Sequence, residues 1–263
     1  MPPSQQHCPN HSLQQTAGRT AFPGSSLTRP PPRISGVVRR RKQEWRSRMK
    51  LLILGASGQC GLWLTRLAAD RGHTVTAVVR SPSTFVAIPG VTVVKGEATD
   101  PATFDRVLPG HDAVLCALGQ RRAALFPWAR RLSPSDLMQQ VMTGLIPAMD
   151  RLEVRRLVAI SAMGVAESFS CCSWSVKRMV QAGNISVGYR DLAVMEGLLA
   201  KSSLDWLAAR PVILANGVPK GRARPVQRFG FFSKIRRSDV AAWMLDTVER
   251  AEPFGARLVM LGS

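Results

Sequence analysis

Three glycines that follow an apolar run have the spacing of a phosphate-binding turn. Gly55, Gly58 and Gly61 come directly after the run at 51–54 and before a segment with helical periodicity. The first glycine of such a turn allows a tight bend, the second lets the backbone approach a diphosphate, and the third allows close helix packing. The first N–H groups of the following helix would then face the phosphates. The pattern predicts a dinucleotide site that also includes Ser57, Gln59 and Cys60.

The end of the second predicted strand bears on which dinucleotide binds. An NAD-selective site usually has an acid there to bind the ribose hydroxyls. No acid occurs between Thr74 and Pro89, and the strand ends in Arg80 and Ser81. A guanidinium beside a hydroxyl can bind a 2′-phosphate. We therefore predict NADP as the cofactor, with NAD possible, and the alternative is that Arg80 is a solvated charge at a strand end.

Two further segments follow predicted strands and should touch the cofactor. Glu97 and Ala98 come after the third strand and would border the adenine, although Glu97 could equally be a surface acid. Leu118 and Gly119 come after the fourth strand and would pass the ribose and diphosphate.

The elements that must position these residues alternate along the chain. Short apolar runs predict strands at 50–54, 74–80, 91–95, 112–117, 156–161, 205–210 and 257–261. Helices are expected at 59–71, 101–108, 134–151, 174–182, 189–201 and 238–250. This alternation predicts an α/β fold of the Rossmann type, a doubly wound and mostly parallel sheet with helices on both faces.

Details of the helices can also be predicted. The first helix should bury Leu64 and Ala68 and end at Gly72, and Ser238 is a good N-cap for the last helix. The segments 162–188 and 218–237 fit no strong period. Since both follow late strands, they are the candidate substrate loops.

The first 48 residues differ from the rest of the 263-residue chain. They are rich in Pro, Ser, Gln and Arg, and they hold nine Lys or Arg against one acid, Glu44. We predict a disordered basic extension at 1–48 and an NAD(P)-binding domain at 49–263. An organelle transit peptide is one interpretation of the extension. We favour an upstream extension or a misassigned start, because Met49 stands directly before the first strand.

Composition narrows the remaining possibilities. The formal net charge of +19 attracts anionic partners in general without selecting one. Five cysteines show no CxxC spacing and no paired His ligands, so neither a disulfide framework nor a metal site is predicted. No apolar run approaches the length of a membrane span, and we predict a cytoplasmic protein.

A basic segment at 220–237 combines seven Lys or Arg with Phe229, Phe231 and Phe232. Single-stranded nucleic acid can bind to such a mixture. We favour a lid over an anionic cofactor or substrate, or an apolar anchor beneath a charged loop. Nucleic acid is therefore an unlikely partner.

Several of these segments together resemble one protein family. They are GASGQCG at 55–61, VVRSPS at 78–83, LVAISAMGV at 157–165, YRDLAVMEGLLAKSSLDWLAARP at 189–211 and SDVAAWML at 238–245. The chain from Met49 onward resembles an atypical branch of the short-chain dehydrogenase/reductase superfamily. That NAD(P)H-binding group includes flavin and biliverdin-IXβ reductases as well as cofactor sensors of the nitrogen-metabolite-repressor type.

The resemblance implies a catalytic serine but not the full proton relay. Many relatives use a Ser, a Tyr and a Lys, and Ser161 matches the serine. Leu192 occupies the position that resembles the lysine, and the only tyrosine, Tyr189, lies three residues before it. Ser161 would position the nicotinamide amide or a substrate oxygen, or be a satisfied strand-end hydroxyl. Tyr189 would contact substrate, or pack at a helix start.

Arg210 and Pro211 resemble the relatives' turn beside the nicotinamide, and Arg210 could alternatively be a structural pin to a neighbouring carbonyl. Some relatives without the triad still transfer hydride. The leading hypothesis is thus an NADP(H)-dependent oxidoreductase, monomeric or homodimeric, that reduces a small carbonyl, quinone or flavin-like acceptor. The alternative is a non-catalytic NAD(P)-binding sensor or partner-binding protein.

Overall fold

The structure is a computed structural model that describes residues 48–123, 129–172, 174, 177–178, 185–227, 233–255 and 257–263. The extension predicted at 1–48 lies outside the described residues except for Arg48. The same holds for Phe229, Phe231 and Phe232, and for most of the helix predicted at 174–182.

Strands and helices alternate through most of the described chain. The strands are β1 (Lys50–Leu54), β2 (Thr74–Val79), β3 (Val91–Lys95), β4 (Ala113–Cys116), β5 (Arg156–Ile160), β6 (Asp205–Pro211), β7 (Ile213–Ala215), β8 (Arg224–Pro225), β9 (Lys234–Arg236) and β10 (Leu258–Gly262). The helices are α1 (Gln59–Asp70), α2 (Pro101–Val107), α3 (Leu137–Arg151), α4 (Ile185–Ala200) and α5 (Arg237–Val248), with 3₁₀ turns at Pro82–Thr84 and Ala166–Cys171.

Eight strands form one sheet in the order β3-β2-β1-β4-β5-β6-β10-β8. All neighbouring pairs are parallel except β10 and β8. The order of the first six strands is that of the doubly wound Rossmann fold, and it reverses between β1 and β4. The predicted fold class is therefore confirmed, and the reversal places a crevice beside the glycine turn.

Apolar side chains cover both faces of the sheet. In β1, Leu51 and Ile53 belong to the core on the α1 and α5 face. Leu52 and Leu54 belong to the core that packs against α2, α3 and α4. Because consecutive strand residues point to opposite faces, a strand covered on both faces must be apolar throughout. This explains the continuous apolar runs and confirms helices on both faces.

The first helix follows the prediction closely. Leu64 and Ala68 are fully buried, and α1 ends one residue before the predicted end. Gly72 follows with a φ of +82°, a left-handed conformation that favours glycine after a helix end.

Between the strand predicted at 205–210 and the helix predicted at 238–250, the structure differs from the prediction in two respects. β7 and β9 form a small parallel sheet where only loop was expected, and β8 pairs antiparallel with β10. Because β9 leads directly into α5, Arg236 and not Ser238 is the N-cap of that helix. The buried Ser238 hydroxyl instead donates to the Gly217 carbonyl at 2.7 Å.

Candidate functional site

The glycine turn is too tightly packed for side chains at two of its three positions. Gly55 has a φ of +79°, and a Cβ there would lie 2.8 Å from the Ala117 carbonyl carbon and oxygen. A Cβ on Gly61 would lie 2.0 Å from the Gly55 carbonyl oxygen. These contacts supply a physical reason for the tight bend and the close helix packing that the sequence predicted.

The start of α1 presents backbone donors at this turn. Gly58 is the N-cap, and its N–H donates to the Gly55 carbonyl at 2.9 Å. A glycine N-cap offers no side chain to accept hydrogen bonds from the first helical N–H groups, so these groups can bind an anion.

The three remaining turn residues differ in exposure. Ser57 and Gln59 are exposed, whereas Cys60 is half-buried. Burial raises the pKa of the Cys60 thiol to about 11, although the nearby charge of Arg237 opposes this shift. The thiol is therefore neutral near pH 7, so the Cys60 side chain can contribute packing at the turn but no charge.

The ends of β2 and β3 frame a cleft of about 430 Å³. It is lined by Arg80, Lys95, Gly96, Glu97, Asp100, Thr103 and Arg106. Arg80 and Glu97 were predicted from the sequence, but Lys95 and Arg106 were missed. The pairing of β3 with β2 brings Lys95 to this edge, and the packing of α2 brings Arg106 there. Three cations against two acids favour an anionic ligand in this cleft.

The other residues predicted for this end of the cofactor have different surroundings. Ser81 is exposed, and its carbonyl accepts from Thr84 in the 3₁₀ turn. Ala98 is buried in the core that packs against α2. Leu118 is half-buried, its N atom lies 2.9 Å from the Cβ position of Gly55, and Gly119 is exposed. The loop after β4 thus lies against the glycine turn.

Ser161 lies at the end of β5 in a buried polar network. Its hydroxyl donates to Glu196 Oε1 on α4 at 2.7 Å, and both residues are 5% exposed. Arg210 at the end of β6 donates to the same carboxylate through Nε at 2.9 Å and Nη2 at 2.7 Å. The network was not predicted, although a Glu on an otherwise apolar helix face is the signal that could have indicated it.

Arg210 also binds Glu167 in the segment after β5, with 2.5 Å from Nη1 to Oε1. One alternative for Arg210 was a pin to a neighbouring carbonyl, whereas the structure places two carboxylates around this guanidinium. Burial alone would lower the pKa of Arg210, but Glu196 and Glu167 raise it overall. The hydrogen bond from Arg210 lowers the pKa of Glu167. Arg210 therefore stays charged and joins β6, α4 and the Glu167 segment, while the carbonyl of Pro211 accepts from Met163.

Tyr189 lies on α4 with its ring against the segment after β5. Its Cε1 is 3.0 Å from the Cβ position of Gly164, and it packs in a small cluster with Cys172. Burial raises the pKa of Tyr189, so the hydroxyl keeps its proton. Leu192 is partly buried and packs against the core, and no hydrogen bond among the described residues joins Ser161 to Tyr189.

The described part of the chain holds neither a cluster of metal ligands nor a membrane-spanning helix. Nowhere in it do three His, Cys, Asp or Glu side chains cluster so that they could hold a metal ion. None of its helices has both the length and the apolar character to cross a bilayer.

A family model described as NAD(P)H-binding matches residues 55–251, which include the glycine turn, the cleft at the ends of β2 and β3, and the network of Ser161, Glu196 and Arg210. The chain belongs to the NAD(P)H-binding family. The nicotinamide dinucleotide expected from the turn is thereby supported at the level of the family.

Curated relatives match part of this NAD(P)H-binding protein. The photosystem II assembly factor Ycf39 of Synechocystis is 30% identical over 125 residues, 45% of this chain and 35% of that protein. A probable pinoresinol-lariciresinol reductase 3 of Arabidopsis thaliana is 28% identical over 81 residues, 29% of this chain and 26% of that protein. The matched part is about a third or less of each relative.

Solved structures share the fold more completely. ChuY of Escherichia coli O157:H7, described as an anaerobilin reductase, has a TM-score of 0.65 and 22% identity, over 81% of this chain and 96% of that one. A short-chain dehydrogenase/reductase from Veillonella parvula in complex with NADP has a TM-score of 0.66 and 17% identity, over 82% and 94%. At these identities the likeness shows the fold.

Proposed function

We propose that this protein is an NADP(H)-dependent oxidoreductase that reduces a small carbonyl, quinone or flavin-like acceptor. The observation that carries the proposal is the glycine turn, whose Gly55 and Gly61 leave no room for side chains, beside the open N-terminus of α1. Backbone donors in that arrangement suit a diphosphate.

The preference for NADP rests on the cleft at the ends of β2 and β3. Arg80, Lys95 and Arg106 all line it, at the edge where a Rossmann fold receives the adenosine ribose. A 2′-phosphate there would be met by three cations. Glu97 and Asp100 also line the cleft and could accept hydrogen bonds from ribose or adenine.

Hydride transfer in this site would need little assistance from a general acid. The protein supplies binding and orientation, and the nicotinamide when bound supplies the hydride. An acceptor that stacks on the ring can take the hydride without a Tyr–Lys pair. Tyr189 keeps its proton near pH 7 and would contact the acceptor, whereas Ser161 can still accept a hydrogen bond through its oxygen. The solved relatives described as an anaerobilin reductase and as an NADP complex support this assignment.

The first test compares the affinities of NADPH and NADH by calorimetry for the unmodified protein and for Arg80→Ala. We expect the preference for NADPH to fall by about tenfold or more, because charge-assisted hydrogen bonds to the 2′-phosphate are lost. Arg66→Ala is the control, since Arg66 is an exposed cation on α1 outside the cleft. An unchanged NADPH to NADH ratio in Arg80→Ala would refute the predicted role of this residue.

A second candidate function is a sensor that binds NAD(P) without turnover. The hydrogen bond of Ser161 to the buried Glu196 and the apolar Leu192 favour it. The two functions separate when NADPH oxidation is followed by absorbance with flavins, quinones and aldehydes. Turnover with one acceptor supports the oxidoreductase, and binding without turnover throughout the panel supports the sensor.

A further inference from the structure

Two arginines face each other on the loop that follows β4. Arg122 and Arg131 form an antiparallel bridge, flanked by hydrogen bonds from Ala123 N to the Arg130 carbonyl and from Leu132 N to the Arg121 carbonyl. In this pattern Arg122 and Arg131 form a non-hydrogen-bonded pair of an antiparallel ladder. Its side chains lie on the same face and approach closely. Two like charges directly opposite each other destabilise such a pair unless something neutralises them.

No carboxylate of the described residues neutralises this pair. Arg71, Arg155 and Arg210 each lie within 3 Å of a carboxylate oxygen, but neither Arg122 nor Arg131 has an ion pair within the described ranges. Nη1 of Arg131 is buried and has no hydrogen-bond partner among those residues. Burial lowers the pKa of Arg122, and the charge of Arg131 lowers it further. A desolvated cation without a partner is costly, so the pair is suited to receive an anion.

The pair lies beside the residue predicted to contact the acceptor. Nη2 of Arg122 is 3.8 Å from the Cβ position of Gly188, the residue before Tyr189. The charge of Arg122 also acts on Tyr189, since it opposes the rise in the pKa of that hydroxyl. The Tyr189 ring in turn touches Gly164 in the segment after β5. The arginine pair thus lies on the loop after the carboxyl end of β4, with Arg122 beside the start of α4.

We propose that Arg122 and Arg131 form a subsite for the anionic group of the acceptor, a carboxylate or a phosphate. Gly188, directly before Tyr189, lies at the border of this subsite, so an acceptor anchored by the two guanidiniums would lie beside the stretch of α4 that carries Tyr189. Guanidinium forks bind both kinds of oxyanion in a fixed orientation. That the ligand is the acceptor rests on the proposed oxidoreductase function, whereas the anion subsite itself does not.

The test uses two pairs of probes that differ in one charged group. FMN and riboflavin test a phosphate, and anthraquinone-2-carboxylate and anthraquinone-2-carboxamide test a carboxylate. Dissociation constants are measured by fluorescence for the full chain, with and without saturating NADP⁺. We expect the charged member of at least one pair to bind about tenfold more tightly than its neutral partner, and the pair that shows this identifies the oxyanion.

Substitutions test whether the preference for the charged probe depends on Arg122 and Arg131. Arg122→Gln and Arg131→Gln should lose this preference, whereas the controls Arg121→Gln and Arg130→Gln remove exposed charges from adjacent positions and should keep it. NADPH affinity should stay within about twofold in all four variants, because the pair is outside the predicted cofactor contacts.

The subsite would be overturned if the charged and neutral members bound equally well in both probe pairs. It would also be overturned if Arg121→Gln reduced the charge preference as much as Arg122→Gln does, or if the Arg122 and Arg131 variants lost affinity for NADPH and not for the charged probe. A charge preference without any NADPH binding would leave the subsite standing and refute the proposed function. The two failures are therefore distinguishable.

Discussion

Gly61 is the described glycine at which an added side chain would clash most severely with its surroundings. It belongs to a helix, where alanine is ordinarily more favourable than glycine. A Cβ there would nevertheless lie 2.0 Å from the Gly55 carbonyl oxygen, and backbone atoms cannot move aside as a flexible side chain can. The packing of α1 on the turn therefore overrides helix propensity at this position.

The first stability prediction compares two glycines in helices. Gly61→Ala should destabilise the protein by roughly 1–3 kcal/mol because it forces α1 away from the turn. Gly197→Ala, on an exposed part of α4 with nothing within 4 Å, should instead stabilise the protein slightly. Urea unfolding followed by circular dichroism measures both changes, and equal effects of the two substitutions would contradict the packing argument.

At the scale of elements, one ion network centred on the buried side chains of Arg210 and Glu196 joins four separate segments. Arg210 on β6 contacts Glu196 on α4 and Glu167 in the 3₁₀ turn, and Glu196 also accepts from Ser161 on β5. Removing one partner of such a network leaves a buried charge without compensation, which is more destabilising than loss of the whole network.

We expect Arg210→Met to reduce the free energy of unfolding by about 3–5 kcal/mol, because Glu196 remains buried beside an apolar side chain. Arg155→Met is the matched control, since Arg155 pairs with Asp150 at 2.8 Å on the surface. Arg155→Met should reduce the free energy of unfolding by less than about 1 kcal/mol. Chemical unfolding measures both losses, and similar values for the two variants would show that the buried network contributes little.

The elements that the sequence predicted best are those that local pattern alone determines. β1 and α1 combine a continuous apolar run, a glycine turn and a periodic helix, and they begin where expected. β7 and β9 were missed because each has three residues and is stabilised by its partner strand. The site shows the same division. Arg80 follows from its place after β2, whereas the Glu196–Arg210 contact depends on how α4 packs on the sheet.

At the scale of the whole molecule, charged side chains tie the start of the chain's described part to its last helix. Glu249 Oε1, just after α5, accepts from Arg71 Nη1 at 2.8 Å and lies 2.9 Å from His73 Nε2. The other nitrogen of His73 accepts from the backbone N–H of Met49 at 3.2 Å. α1, β1 and α5 are thus connected at the edge of the sheet opposite the glycine turn.

This connection predicts a pH dependence of stability. Burial acts to raise the pKa of Glu249, but His73 and Arg71 outweigh it and lower the pKa below the ordinary value of 4.5. The carboxylate therefore stabilises the fold above that value, and the contribution is lost as the pH falls through the lower folded value.

Glu249→Gln should accordingly be more destabilising at about pH 5.5 than at about pH 3.5, in unfolding measurements on both proteins. Asp246→Asn is the control, because Asp246 also pairs with Arg71 but its side chain is 57% exposed. That substitution should change the free energy of unfolding by less than about 1 kcal/mol. A loss for Glu249→Gln that is the same at both pH values would refute the assignment.

The helix α4, which carries Tyr189, is attached to β6 through Glu196 and also to α3 through Asp191. The carboxylate of Asp191 accepts from the backbone N–H groups of Met138 and Gln139 at 2.9 and 3.0 Å, at the start of α3. Those groups have no helical partner of their own, so a shift of α4 would expose them. We therefore expect a ligand that displaces Tyr189 and α4 to displace the start of α3 as well. A fluorescent label there would register occupancy of the crevice without touching it.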